Sequence, residues 1–360
     1  MKATSDEIKK GRVDEYDLLR VIATVLVVIG HSCYLIMGGV HYEVPADSSW
    51  VYDSNLFRLI RFLSGWVYGF HMPLFFLLSG AVYHLKEEKS LKKLVCSKLK
   101  RLILPYYLCG LFFMLPVKRV TGYYNAENFA EAIAKFLVGR GDGHLWFLPA
   151  LFWCFLVFWC IRRLAGKRNS YPVLLLAALI QLLIGYLPFD FFLFKRGMGY
   201  LFWFALGYWF DGARDKLSEY SDYKYGICKF LVLLEIIILD IKFGFLNGFF
   251  SVIICSYAVY LLCIIGVKKY KNLCGRWWFR LLSKHSMHIY LFHDPLEYAV
   301  LLAAFRYGWL YSRLGCLAYM GMRTAGVIIL SVGMGKTVDL LKKQCLNFRD
   351  IFFRFLRFSL

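Results

Sequence analysis

An arginine and a histidine, eleven positions apart, bracket the first membrane-length apolar run of this chain. It reads Asp17-Leu18-Leu19-Arg20, then VIATVLVVIG, then His31. An ionisable side chain at that depth is costly and is a functional candidate by default. Proton transfer is the chemistry such a histidine could do. The competing reading is a histidine hydrogen-bonded inside a helix bundle. His71 lies in a second apolar run, Phe70-His71-Met72-Pro73-Leu74-Phe75-Phe76-Leu77-Leu78-Ser79-Gly80. If the first run crosses outward, His31 lies ~20 Å from its cytoplasmic end; if the second crosses inward, His71 lies ~10 Å from its outer end. The two then share a depth. His144 opens a later run, Gly143-His144-Leu145-Trp146-Phe147-Leu148-Pro149, at the outer boundary. Three histidines in the outer half predict a polar cavity there. For His71 a structural hydrogen bond, and for His144 a simple interfacial position, are the alternatives.

The cytoplasmic ends differ in character. Asp17 and Arg20 are one turn apart, a spacing that also suits a plain ion pair. Lys98, Lys100 and Arg101 crowd one turn before Pro105 and could hold a polyanion such as a nucleotide cofactor. The same residues also fit a positive-inside anchor. Late in the chain, His293-Asp294-Pro295 falls mid-run, with Glu297 one turn on. The proline frees a backbone carbonyl. Arg323 is a natural counter-charge for Asp294 or Glu297, in a structural pair.

Composition sets the elements that must position these groups. Of 360 residues, 59% are hydrophobic and 19% aromatic. A soluble domain of this length could not hide so much apolar surface. The apolar runs are near the ~20 residues needed to cross a bilayer, and they do not alternate as barrel strands do. The sequence predicts an all-α polytopic membrane protein: a bundle of ten helices near 18–37, 64–83, 102–117, 145–161, 171–187, 197–210, 227–241, 245–266, 286–305 and 314–334. It shows no internal repeat. Residues 1–334 read as one transmembrane domain and 335–360 as a basic amphipathic tail on the inner leaflet. The polar start carries no cleavable signal, so the first span is expected to be retained.

The net charge of +20 follows from topology rather than from a nucleic-acid partner. With both termini in the cytoplasm, 32 of the 44 lysines and arginines fall on that side and 11 in outer segments, as the positive-inside rule requires. Eleven cysteines form no CxxC pair, and the predicted outer segments 38–61, 118–144 and 187–199 contain none. A metal site or disulfide framework is not expected.

Together these landmarks resemble the integral-membrane acyltransferase family 3, the sugar and polysaccharide O-acetyltransferases. The matching features are D-x-L-R with a histidine eleven residues on, F-H-M-P-L-F-F-x-x-S-G, R-L-I-L-P, G-H-L-W-F-L-P-A-L-F and S-M-H-I-Y-L-F-H, in order from residue 14 to 293. Two departures stand out. The family's R-x-x-R pair is Lys98-x-x-Arg101 here, and its W-S-L-x-V-E is Trp146-Phe147-Leu148-Pro149-Ala150-Leu151, without the glutamate. Lack of that glutamate resembles the shorter, fucose-type branch. The extracytoplasmic hydrolase-like domain fused to some members is not expected.

The resemblance implies acetyl-CoA as co-substrate, with no permanently bound cofactor. The acceptor it implies is a hydroxyl of a cell-envelope glycan: exopolysaccharide, capsule, O-antigen or lipid-linked precursor. It implies a multi-pass protein of the cell membrane, in bacteria the cytoplasmic membrane, and is compatible with a homo-oligomer. His31, with Arg20 and Asp17, forms the candidate catalytic set. Arg20, Lys98, Lys100 and Arg101 are the candidate donor-binding set; His71, His144, Trp146 and His293 are the candidate acceptor set. A transporter or flippase of a lipid-linked glycan is the competing class, and a non-catalytic membrane sensor a third.

Overall fold

The protein is seen in a computed structural model that describes residues 13–32, 55–86, 90–141, 143–165, 171–218, 223–244, 246, 248–270, 272–309 and 312–358. Among them there is no strand. The helices are α1 (Asp14–Ser32), α2 (Asn55–Leu85), α3 (Leu91–Val120), α4 (Phe129–Leu137), α5 (His144–Ala165) and α6 (Tyr171–Tyr186). They continue with α7 (Phe194–Met198), α8 (Leu201–Ser218), α9 (Tyr223–Phe243), α10 (Gly248–Lys269), α11 (Trp277–Arg306) and α12 (313–358). The chain is an all-α polytopic membrane protein. Five segments among the described residues are long and apolar enough to cross a membrane: Ser64–Leu85, Leu91–Val120, His144–Ala165, Gly248–Lys269 and Leu317–Gln344. Other long helices carry internal charges, as α1 does with Asp14, Glu15, Asp17 and Arg20.

Several boundaries differ from the sequence expectation, for local reasons. Helix α2 starts at Asn55, so the predicted outer segment 38–61 ends within it; residues 38–54 lie outside the described residues, as do 33–37 of the first predicted span. Helix α3 starts at Leu91 rather than near 102. The basic stretch there is amphipathic, burying Leu94 and Leu102, and lysine and arginine are good helix formers. Two π-helical turns, Leu99–Ile103 and Gly110–Met114, sit just before Leu104-Pro105 and Leu115-Pro116. Each ends where a proline lacks the amide the ladder needs. The predicted connection 118–144 contains α4, and the predicted span 197–210 is split between α7 and α8. The last helix runs unbroken from Val327 to Phe358, through the expected tail boundary at 334.

Helices α2 and α8 pack back to back. A Cβ at Gly80 would collide with the Phe204 carbonyl, and one at Gly207 with that of Leu77. Small residues allow this approach, as is common between helices in membranes. Helix α1 lies against α2, α10 and α11.

The charge asymmetry makes a checkable statement about sides. In a background freed of the eleven native thiols, cysteine at exposed Glu127 should react with an impermeant reagent applied outside the cell. Cysteine at exposed Ser90 should react only after permeabilisation. The reverse labelling pattern would invert the topology.

Candidate active site

Two cavities open at the two ends of α1. The first, of about 920 Å³, is lined at the α1 N-terminal end by Asp17 and Arg20; the second, of about 630 Å³, is lined at the other end by Val27 and His31. Arg20 and His31 are ~16 Å apart along the helix. Tyr290 of α11 lines both cavities. Its hydroxyl donates to the His144 carbonyl, and its ring packs 5.6 Å from that of Phe147, which lines the first cavity.

A buried carboxylate organises the second cavity. Asp294 Oδ1 stands 3.7 Å from His31 Nδ1, and Oδ2 stands 3.1 Å from His144 Nδ1 and 3.5 Å from Lys118 Nζ. The Lys118 ammonium sits between the rings of Tyr123 and Tyr298, at 4.5 and 4.9 Å. The carboxylate is 7% exposed and the His31 ring 21%. A buried charge of this kind is tolerable only when paired.

The sequence explains how these groups are held. Pro295 lacks the amide that would bond the Leu291 carbonyl four residues earlier. That carbonyl instead accepts from His144 Nε2 at 3.0 Å and from Cys109 Sγ at 3.2 Å. A carbonyl only accepts, so Nε2 of His144 carries a proton. Its Nδ1 faces Asp294 Oδ2. Gly143 delivers His144 with φ of 135°, and a Cβ there would press on Met114 and Lys118.

Two side chains hold the last described turn of α1. Ser64 Oγ donates to the Gly30 carbonyl at 2.7 Å, and Arg323 Nη2 to that of His31 at 2.9 Å. Arg323 also pairs with Glu297 at 3.1 Å and donates to Tyr319. The counter-charge expected of Arg323 therefore falls on Glu297, and Asp294 is left to the histidines and Lys118.

The first cavity is cationic. Arg20, Lys86, Lys98, Arg101, Arg280 and Lys284 line it. Arg20 bonds Asp17 at 2.7 Å and Ser283 at 2.8 Å. Lys98 lies 3.3 Å from the centre of the Phe155 ring.

The expected site residues thus separate into two groups. His31, His71, His144 and Trp146 line the second cavity; Asp17, Arg20, Lys98 and Arg101 line the first. Asp17 and Arg20 are too far along α1 to touch the atoms that His31 touches. Lys100 is exposed and lines neither cavity, because two residues from Lys98 it lies on the opposite face of the helix. His293 is fully buried behind the second cavity, its ring 5.0 Å from His31 and 4.9 Å from His144, with Nδ1 bonded to the Tyr290 carbonyl. Sequence reasoning missed Lys118, which it counted among outer-loop cations. It also missed Asp294 as a partner of His31, and Tyr290. Pro295 signalled only that the Leu291 carbonyl lacks its helical amide.

A helical membrane bundle with a cationic cavity, a histidine–carboxylate cavity and one residue shared between them defines a multi-pass protein with the parts of a group-transfer site. The model of one protein family, described as an acyltransferase domain, matches residues 13–332. That match takes in both cavities and nearly all of the chain, which belongs to acyltransferase family 3 and is a membrane acyltransferase. No protein of curated function and no solved structure matches it.

Proposed function

We propose that this acyltransferase moves an acetyl group from acetyl-CoA to a hydroxyl of a cell-envelope glycan, with His31 as general base. The observation that carries the reading is the pair of cavities meeting at Tyr290. CoA is a polyanion, and six cations line one cavity, where phosphate contacts of the charge-assisted kind would form. Its thioester arm is thin enough to pass along the bundle toward the other cavity. There His31 Nδ1 faces Asp294, leaving Nε2 to take a proton, an arrangement that orients an imidazole for base catalysis. The acceptor hydroxyl gives its proton to His31 as its oxygen bonds the thioester carbonyl carbon. The C–S bond then breaks, and the CoA sulfur receives the proton from His31. Direct attack is proposed over an acyl-histidine because a single base then serves the whole transfer.

Ten spanning helices with both termini in the cytoplasm would set the donor cavity inside and the acceptor cavity in the outer half of a bacterial cytoplasmic membrane. The missing glutamate after Trp146 supports the fucose-type branch.

The donor assignment is tested by binding of radiolabelled acetyl-CoA to the reconstituted full chain. Arg20→Ala and Arg101→Ala should each weaken it about tenfold, the loss of one charge-assisted contact. Lys98→Arg should be tolerated, because a guanidinium still binds phosphate. Normal binding by both arginine variants would reduce the cationic cavity to a topology signal. Binding without release of CoA thiol would favour the transporter reading instead.

A further inference from the structure

Beyond the histidines, the second cavity holds a cation that the reaction does not use. Arg196 sits on the short helix α7, its guanidinium carbon 3.8 Å from the centre of the Trp146 ring. Both residues line the cavity together with Tyr200, whose ring lies 5.6 Å from that of Trp146. The other cationic side chain there, Lys118, is matched by Asp294. Among the described residues, no carboxylate or carbonyl accepts from the Arg196 guanidinium. A guanidinium offers five donors in a planar fork suited to carboxylate and phosphate.

The chain goes to some length to keep Arg196 there. Just before it, Phe192 and Leu193 adopt φ of 46° and 60°, a left-handed conformation that is strained for non-glycine residues and persists only where the surroundings enforce it. Four contacts do so. Trp153 Nε1 donates to the Phe192 carbonyl at 3.0 Å, and Cys154 Sγ to that of Gly197 at 3.0 Å. Lys195 donates its amide to Asp190 at 2.9 Å and its ammonium to the Leu187 carbonyl at 2.8 Å. A strained, tied turn thus presents an arginine with no anionic partner among the described residues at the wall of the acceptor cavity.

We propose that Arg196, braced on Trp146, is an anion subsite, and that the glycan acceptor carries a carboxylate or phosphate which it holds while the Tyr200 ring flanks the sugar. The assignment rests on the acceptor reading above and narrows it from any glycan to an acidic one.

The test uses the reconstituted full chain, acetyl-CoA and surface glycan from producing cells that lack the gene. The glycan is offered untreated, after carboxyl reduction, and after dephosphorylation with hydrofluoric acid. One of the two treatments should raise the acceptor KM about tenfold, the worth of one charge-assisted contact, and which one does so identifies the anion. Arg196→Gln should raise the KM for untreated glycan by a similar factor, leave the KM for acetyl-CoA in place, and no longer respond to the treatment. Arg196→Lys should recover part of the loss. Equal use of treated and untreated glycan by the wild type, or persistent discrimination by Arg196→Gln, would overturn the subsite alone. A wild type that cleaves acetyl-CoA but acetylates no form of the glycan would overturn the acceptor reading, and the subsite with it.

Discussion

Alanine at His31 is expected to lower acyl transfer by about 10²–10⁴-fold, the usual contribution of a positioned general base. Binding of acetyl-CoA and the yield of folded protein should change little. The ring is 21% exposed and lines the cavity. The carbonyl that Arg323 engages belongs to the main chain, so it survives the substitution. The base acts in the transition state, and its removal should fall on kcat more than on KM. Asp294→Asn keeps the shape but removes the charge facing His31, His144 and Lys118. It should lower kcat as well, by less than His31→Ala, because the imidazole remains but loses the carboxylate that orients it. Single-turnover transfer from radiolabelled acetyl-CoA separates the two effects. A loss below about tenfold for His31→Ala would remove it as the base.

Much of this site is legible in the chain because a membrane makes ionisable residues conspicuous. His31, His71 and His144 stand out against apolar runs, and simple helix rise predicts that they meet; they line one cavity. The Asp17–Arg20 pair and the Arg323 counter-charge are legible for the same reason, since spacing along a helix and the cost of an unpaired buried charge leave few partners. What is not legible depends on tertiary placement. Lys118 looks like a loop cation in sequence but is 2% exposed in the bundle, between two tyrosine rings. Nothing in its neighbours announces that burial. Lys100 is the converse, a cation in the right motif that helix periodicity alone sets on the face away from the cavity.

Asp294 and Glu297 show the limit most clearly. One turn apart on α11, they are interchangeable by sequence as partners of Arg323. Packing separates them. Glu297 faces α12 and takes the arginine, whereas Asp294 faces α1, α3 and α5 and takes the histidines and Lys118. The freed Leu291 carbonyl likewise needs the fold to find His144. The proline says only that some carbonyl lacks its amide.

The Arg323–Glu297 pair predicts the other large effect. Both side chains are wholly buried. Arg323→Ala leaves Glu297 charged and alone, and breaking such a pair from one side costs about 3–5 kcal/mol. The variant should therefore unfold in detergent well below the wild-type temperature. Replacing both partners with apolar side chains, Arg323→Met with Glu297→Leu, removes the stranded charge and should recover most of the stability. Transfer should stay low in that double variant. Arg323 does more than neutralise a glutamate: it also donates to the His31 carbonyl in the last described turn of α1. Without that donor the turn bearing the imidazole is less firmly held, and a small misplacement of a reacting group is costly in rate. Thermal unfolding and kcat measured on the same preparations decide the matter. Recovery of stability without activity would make Arg323 a positioning residue for His31, whereas recovery of both would leave it a buried ion pair and nothing more.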